Sequence, residues 1–230
     1  MSDFRIAALV PMRHRSERVP GKNYRPLAGR PLYHHIVRSL LDCPYITDVC
    51  IDTDSPVILE EAPKHFPVRL INRPEELRSE FEPMNNILLY DVAQIEADYY
   101  LQTHSTNPLL TTETISRAVE KFLTRGDHDS LFGVTRLQTR LYDQHGKPLN
   151  HDPDVLLRTQ DLPPVYEENS TIYIFSKEIL EKRRNRIGHR PIMFEIKREE
   201  AIDIDEEIDF ILADFFMRQR NKEVASGHEI

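Results

Sequence analysis

Short apolar runs alternate with longer amphipathic stretches along the whole chain, and this alternation restricts the available folds more than any other feature. Strand-like runs at 6–10, 46–54, 68–71, 99–102, 131–134, 170–176 and 190–197 are separated by helical spacing at 32–43, 56–66, 84–97, 112–125, 177–186 and 206–220. Strands of four to nine residues joined by helices predict a mainly parallel sheet with helices packed on it, a three-layer α/β sandwich of Rossmann-like type. Helix starts are marked by Pro31, by Ser55 followed by Pro56, and by Thr111 or Thr112 ahead of Glu113. Proline suits a first turn, hydroxyls cap free N–H groups, and an early acid suits the helix dipole. Pro63 predicts a kink or an early end to the second helix.

At 230 residues the chain suits one domain over 1–220, with 221–230 as a frayed tail. Residues 135–169 break the alternation with polar turns. So long a stretch without its own periodicity is uncommon inside a compact domain, which favours an arm that reaches a partner subunit over a decorated loop. The N-terminus carries Asp3 and Arg5 and only five apolar residues before Pro11, unlike a signal peptide, and no segment reaches the roughly 20 apolar residues of a membrane span. A cytoplasmic protein is expected, with Cys43 and Cys50 as free buried thiols. A net charge of −8 argues against a nucleic-acid partner, which needs a broad basic face.

Against that anionic background, the stretch after the first strand stands out. Between residues 12 and 30 it carries Arg13, Arg15, Arg18, Lys22, Arg25 and Arg30 against Glu17 alone. Guanidinium groups grip phosphate oxygens bidentately, lysine adds a mobile point charge, and Gly21 allows close backbone approach. In parallel sheets ligands gather beyond the carboxyl ends of the strands, where this loop falls. The Walker spacing is absent, and on charge alone a solvated basic loop fits as well. A second constellation is A-I-D-I-D at 201–205. In an extended segment Asp203 and Asp205 share one face while Ile202 and Ile204 pack on the other. Such a carboxylate pair suits magnesium held jointly with nucleotide phosphates, although acids at a helix start read equally well.

Taken together, the motifs resemble the acylneuraminate cytidylyltransferase (CMP-sialic acid synthetase) family, with kinship to the 3-deoxy-manno-octulosonate cytidylyltransferases. Arg13, Ser16, Pro20, Lys22 and Asn23 match its A-R-x-x-S-K-x-x-P-x-K-N motif. D-T-D at 52–54 resembles S-T-D, N-R-P-E-E-L at 72–77 resembles R-P-x-E-L, N-S-T-I-Y-I at 169–174 resembles N-G-A-I-Y-I, and A-I-D-I-D resembles S-I-D-I-D. The matches run in family order from residue 6 to about 217.

The resemblance implies a nucleotidyltransferase fold, a homodimer built with the inserted arm, and attack by the anomeric hydroxyl of a nonulosonate on the α-phosphate of CTP. The products would be a CMP-sugar and pyrophosphate. It implies that Arg13 and Lys22 neutralise the triphosphate, with Ser16, Arg18, Asn23 and Arg73 on the nucleotide side. Gln102 and Arg158 fall on the sugar side, and Asp203 and Asp205 on Mg2+. The catalytic set would be Arg13, Lys22 and Asp205. An octulosonate-type or other sugar nucleotidyltransferase, or a non-catalytic nucleotide-binding module, are the alternatives.

Three departures bear on this reading. Glu17 stands where the family has lysine, with Arg18 beside it; T-H-S-T-N-P-L after Gln102 is two residues longer than P-T-S-P-L; and Glu167 and Glu168 replace a basic position in the arm. Those acids fit a differently charged or amino-bearing sugar. His34 and His35 are expected to line a helix rather than bind metal, and His104 to pack or touch substrate. Phe210, Phe215 and Phe216 are expected in the core of the last helix.

Overall fold

A computed structural model of the chain describes residues 4–124 and 126–226. Its centre is β1, Ile6–Met12, whose side chains are all buried. Around it the strands β4 (Asp48–Thr53), β5 (Arg69–Asn72), β6 (Tyr99–Gln102), β7 (Ser130–Leu137), β8 (Val165–Phe175) and β9 (Pro191–Glu195) form one seven-stranded sheet in the order β5-β4-β1-β6-β8-β7-β9. β8 runs antiparallel to both of its neighbours, and the other pairs are parallel. A two-residue hairpin, β2 (Pro26–Leu27) and β3 (Arg30–Pro31), closes the basic loop. The mainly parallel sheet expected from the sequence is therefore present.

The strand alternation builds the layers. Ile6, Ala8 and Val10 of β1 face a core shared with α1 (Leu32–Leu41), α2 (Pro56–His65) and α4 (Thr112–Thr124). Ala7 and Leu9 face the opposite core, shared with α3 (Met84–Gln94) and α5 (Lys177–Arg183). Successive strand side chains point to opposite faces, so a strand covered on both sides must be continuously apolar. A third cluster seats α6 (Glu207–Ala225) through Phe210, Ala213 and Met217 on Val19, Leu27, Leu32, Leu109 and Ile204. Cys43 and Cys50 are buried free thiols, as expected. Among the described residues no helix is long and apolar enough to cross a membrane.

Several boundaries differ from the sequence reading. β1 does not stop at Pro11 but runs on to Met12. Leu9 O accepts from Thr103 N on the β6 side, and by alternation the Pro11 nitrogen faces that side too, where β6 has already ended. Its missing N–H therefore costs no ladder bond. Pro63 lies in the last turn of α2, which continues to His65. The expected end of α4 at Arg125 lies outside the described residues. The inserted segment is shorter than 135–169, because Thr135–Leu137 pair with Val165–Glu167 as a continuation of β7 and β8. α6 extends through Ala225, so 221–225 is helix rather than tail, and 227–230 lie outside the described residues. Phe215 and Phe216 are solvent-facing, since the buried stripe of α6 runs through Phe210, Ala213 and Met217.

Glu200 shows how the last connection is tied to the sheet layers. Buried between the end of β9 and α6, its carboxylate accepts from Thr111 N (3.0 Å), Thr111 Oγ1 (3.1 Å) and Thr114 Oγ1 (3.0 Å) at the start of α4. Thr111 in turn caps that helix by accepting from Thr114 N. Glu200→Ala leaves these donors without their acceptor in a buried setting and is expected to cost about 1–3 kcal/mol. Urea denaturation monitored by circular dichroism checks this; an unchanged midpoint would contradict it.

Candidate active site

At the carboxyl ends of β1, β4 and β6 a cavity of about 860 Å³ opens. The loop after β1 forms one wall and is held open by its own polar contacts. Its His14 donates its backbone N–H to Asp54 Oδ1 (2.7 Å), and its ring Nδ1 meets Ser55 Oγ (2.9 Å) at the end of β4. Gly21, at φ +66°, turns the chain into a short 3-10 segment, Lys22–Tyr24; a Cβ there would lie 2.9 Å from the Tyr24 ring. Asn23 is buried, donating to Arg13 O (2.7 Å) and accepting from Ser105 Oγ (2.7 Å). Its amide therefore staples the loop and presents Arg13.

Arg13, Ser16, Arg18, Lys22 and Asn23 all line the cavity, as do Arg73, Asp203 and Asp205. Ile204 is fully buried while the flanking carboxylates face the cavity, which matches the alternation expected of A-I-D-I-D. Lys22 Nζ donates to Ile204 O (2.5 Å) and lies 3.9 Å from Asp205 Oδ1. Burial lowers the Lys22 pKa, opposed by the charges of Asp205 and Asp203. Arg18 Nη2 donates to Asp205 Oδ1 (2.8 Å). Both partners of that pair are more than half-exposed or close to it (61% and 50%), so it is worth only about 0–1 kcal/mol and opposes a competing ligand little.

Asp203 is the better buried of the two acids. Burial raises its pKa, with Thr106 hydrogen-bonding the carboxyl, while Oδ1 is buried with no hydrogen-bond partner. An orphaned carboxylate oxygen beside a second acid suits a hard divalent cation. Among the described residues no group of three His, Cys, Asp or Glu converges, so further ligands would come from phosphate oxygens and water.

The expected sugar-side residues divide. Gln102 is fully buried with its amide engaged at both ends. Nε2 donates to Thr103 O (3.0 Å) and to His104 Nε2 (2.9 Å), and Oε1 accepts from Arg186 Nη1 (2.5 Å). Gln102 thus supports the cavity wall from behind. His104 lines the cavity; burial, with Arg186 and Lys22 nearby, pushes its pKa down to about 3. A neutral ring accepting at Nε2 carries its proton on Nδ1, and so presents a donor rather than a base. Arg158 does not line the cavity in this chain; it pairs with Asp161 (2.7 Å) within the arm. Glu168, one of the unexpected acids, accepts from the Tyr173 hydroxyl.

Sequence reasoning missed Arg186, which the structure places in the cavity wall after α5, and the segment Arg78–Glu82 on the opposite side. Arg186 belongs to a basic run that reads as a solvated helix end. Arg78 had a signal in its basic charge beside Arg73, whose carbonyl it binds (2.9 Å). Ser170, also lining the cavity, sits at φ +56°, the left-handed region that favours glycine, where the resembled motif has glycine.

Comparison with known proteins follows the same lines. The sequence profile described as Cytidylyltransferase matches residues 7–226. The chain is 28% identical over 216 residues to N-acylneuraminate cytidylyltransferase A of Danio rerio, covering 91% of this chain and 50% of that protein. It is 30% identical over 228 residues to CMP-N,N'-diacetyllegionaminic acid synthase of Legionella pneumophila, covering 93% and 96%. It thus spans about half the length of the fish relatives and nearly all of the bacterial one. Among solved structures, CMP:2-keto-3-deoxy-manno-octonic acid synthetase complexed with CTP superposes with a TM-score of 0.70 at 15% identity, covering 94% of this chain and 99% of that one. A 4-diphosphocytidyl-2C-methyl-D-erythritol synthase from Anaerococcus prevotii superposes at 0.68 and 12%, covering 93% and 96%, and these two likenesses concern the fold.

Proposed function

Because this chain belongs to the cytidylyltransferase family, we propose that it transfers CMP from CTP to the anomeric hydroxyl of a nonulosonate, a sialic-acid-like sugar acid, with release of pyrophosphate. The observation that carries this reading is the meeting, in one cavity at the carboxyl ends of the central strands, of Arg13 and Lys22 with Asp203 and Asp205. The relatives named for N-acylneuraminate and legionaminic acid support the class of acceptor.

In the reaction the acceptor hydroxyl oxygen bonds to the α-phosphorus, the bond from that phosphorus to the bridging oxygen of the β-phosphate breaks with its electron pair leaving on pyrophosphate, and the hydroxyl proton passes to water. Nucleotidyl transfer is mainly positioning and charge stabilisation. Arg13 and Lys22 neutralise the triphosphate and the charge that grows on the departing pyrophosphate. Asn23 and Ser105 fix the loop so that this positive charge is in place beforehand. Arg73, buried against Asp52 and lining the cavity, faces the nucleotide. Asp203 and Asp205 would hold Mg2+, which when bound offsets phosphate charge. His104, with its proton on Nδ1, donates a hydrogen bond to substrate rather than accepting a proton.

We place the arm between β7 and β8 at a homodimer contact, supported by its exposed Val155, Leu156 and Leu157. Arg158, which does not line the cavity of its own chain, then acts on the sugar bound by the partner.

The test is a pyrophosphate-release assay with CTP, magnesium and a panel of acceptors: an N-acylneuraminate, N,N'-diacetyllegionaminate and 2-keto-3-deoxy-manno-octonate, with UTP, GTP and ATP alongside. Release with CTP and a nonulosonate is expected. Release only with the octonate, or only with another nucleotide, would overturn the acceptor or the base assignment, and CTP binding without release would indicate a binding module.

A further inference from the structure

Arg186 is a cavity cation that the reaction as described leaves without a task. Its guanidinium lies over the Tyr173 ring, 3.5 Å from the centroid, and donates through Nη1 to Gln102 Oε1. Both partners are neutral. Glu168, the carboxylate whose charge reaches it, is engaged by the Tyr173 hydroxyl. Burial lowers the Arg186 pKa, which means that the charged form is poorly compensated where it sits. A cation withdrawn from water with no carboxylate hydrogen-bonded to it, and only the Glu168 charge beyond the Tyr173 hydroxyl to offset it, is costly, and an anion in direct contact would relieve that cost.

The triphosphate is not the natural anion for this position. The phosphate loop follows β1, whereas Arg186 is held by side chains of β6 and β8, and β6 lies between β1 and β8 in the sheet. Arg186 is thus anchored on the β6–β8 side of the cavity, whereas the phosphate loop enters from the β1 side. Because β8 is antiparallel to β6, its early residue Ser170 also reaches the carboxyl end of β6 and joins Arg186 and His104 in the cavity wall. A planar cation, fixed on one face by an aromatic ring and on one edge by an amide oxygen, has its remaining edge in a set direction. That is the arrangement that favours two parallel N–H bonds to a carboxylate.

We infer that Arg186 is the specificity residue that receives the carboxylate of the acceptor sugar acid, with Tyr173 and Gln102 as positioning residues behind it. The inference rests on the cytidylyl-transfer reading above and adds which group selects an acid over a neutral sugar. It also explains why Gln102, fully buried and engaged at both ends, sits beside a sugar site: its oxygen sets the guanidinium plane.

The experiment compares each nonulosonate with its C1 primary amide, which keeps the shape and removes the charge, in the wild type and in Arg186→Gln and Arg186→Lys. The wild type is expected to prefer the acid in kcat/KM by about 50-fold, the scale of a charge-assisted bidentate pair. Arg186→Gln is expected to lose that preference while its KM for CTP stays within about twofold. Arg186→Lys, a point charge without the fork, should keep part of the preference. Acid and amide used equally by the wild type, or a Gln variant that still prefers the acid as strongly, would overturn the inference; the wild-type comparison decides alone if Arg186→Gln does not fold. Absence of pyrophosphate release with every acid is a separate outcome that removes the underlying reading and this inference with it.

Discussion

Lys22→Met is expected to lower kcat with CTP and a sugar acid by about 10³-fold, the scale of removing one preorganised charge from a transition state. Lys22 is held on a 3-10 turn entered through Gly21 at φ +66°, where a Cβ would crowd the Tyr24 ring, and its ammonium is half-buried between Ile204 O and Asp205. It therefore meets the phosphates without reorganising. Asp205→Asn is expected to have an effect of similar size, because it removes one of two acids facing the phosphate loop. Lys22 also ties down residues 201–205, so loss of activity in Lys22→Met could reflect loosening of that segment. Lys22→Arg separates the two causes, since it keeps a cation and a donor to Ile204 O. The pH response has a definite sign: burial lowers the Lys22 pKa, so the charge is lost at lower pH than for an exposed lysine, and activity should decline on the alkaline side earlier than in Lys22→Arg. Pyrophosphate release at saturating CTP and magnesium, with circular dichroism to verify folding, decides the matter. A Lys22→Met enzyme within tenfold of wild type would exclude Lys22 from the triphosphate clamp.

How much of this could be read beforehand depends on whether the signal is local. The strands of the central sheet announce themselves because burial on both faces demands unbroken apolar runs such as I-A-A-L-V. The direction of β8 has no such signature, since strand periodicity is the same in either sense. The outer halves of β7 and β8 were missed for a related reason. Thr135–Leu137 and Val165–Glu167 have left the core, so their polar side chains look like turns until the partner some thirty residues away is known. α6 carries two apolar stripes, one through Phe210, Ala213 and Met217 and another through Ile208, Ile211, Leu212 and Phe215, and only packing selects which is buried. In the site, Arg13, Lys22, Asp203 and Asp205 were legible because alternation and loop position fix where they point. Arg186 was not, because one inward-turned member of K-R-R-N-R is indistinguishable from its solvated neighbours without Tyr173 and Gln102 in view.

Arg73→Met is expected to destabilise the fold by about 3–5 kcal/mol, because it strands Asp52 as a buried unpaired charge. Arg73 and Asp52 are each 1% exposed, and the guanidinium donates through Nε to Asp52 Oδ1, with Nη2 in ion-pair contact with the same oxygen. A third group completes the cluster: Asp91 on α3, fully buried, whose pKa burial and the Asp52 charge push up to about 9. At neutral pH Asp91 is thus uncharged and carries a proton to share with Asp52, which accounts for Asp52 Oδ2 and one of the two Asp91 oxygens otherwise lacking partners. Since the folded pKa lies above the ordinary 3.8, the folded state holds a proton that the unfolded chain has released. The Asp91 contribution is therefore fully present below about pH 4, declines as pH rises, and is lost by about pH 9, with a slope of up to about 1.4 kcal/mol per unit. Asp91→Asn keeps a donor and does not titrate. Groups outside this cluster titrate alike in both proteins, so the difference in unfolding free energy between variant and wild type should shift in favour of the variant by about 2–3 kcal/mol from pH 6 to pH 8. Urea unfolding at the two pH values measures it, and a pH-independent difference would mean that Asp91 is already ionised. Asp52→Asn provides the complementary case: with the like charge removed, Asp91 is left to pair with Arg73, its pKa falls, and the cost should be smaller than that of Arg73→Met. The same logic keeps Arg73 at the cavity charged and oriented in Asp91→Asn, because at neutral pH the carboxyl it replaces carries no charge.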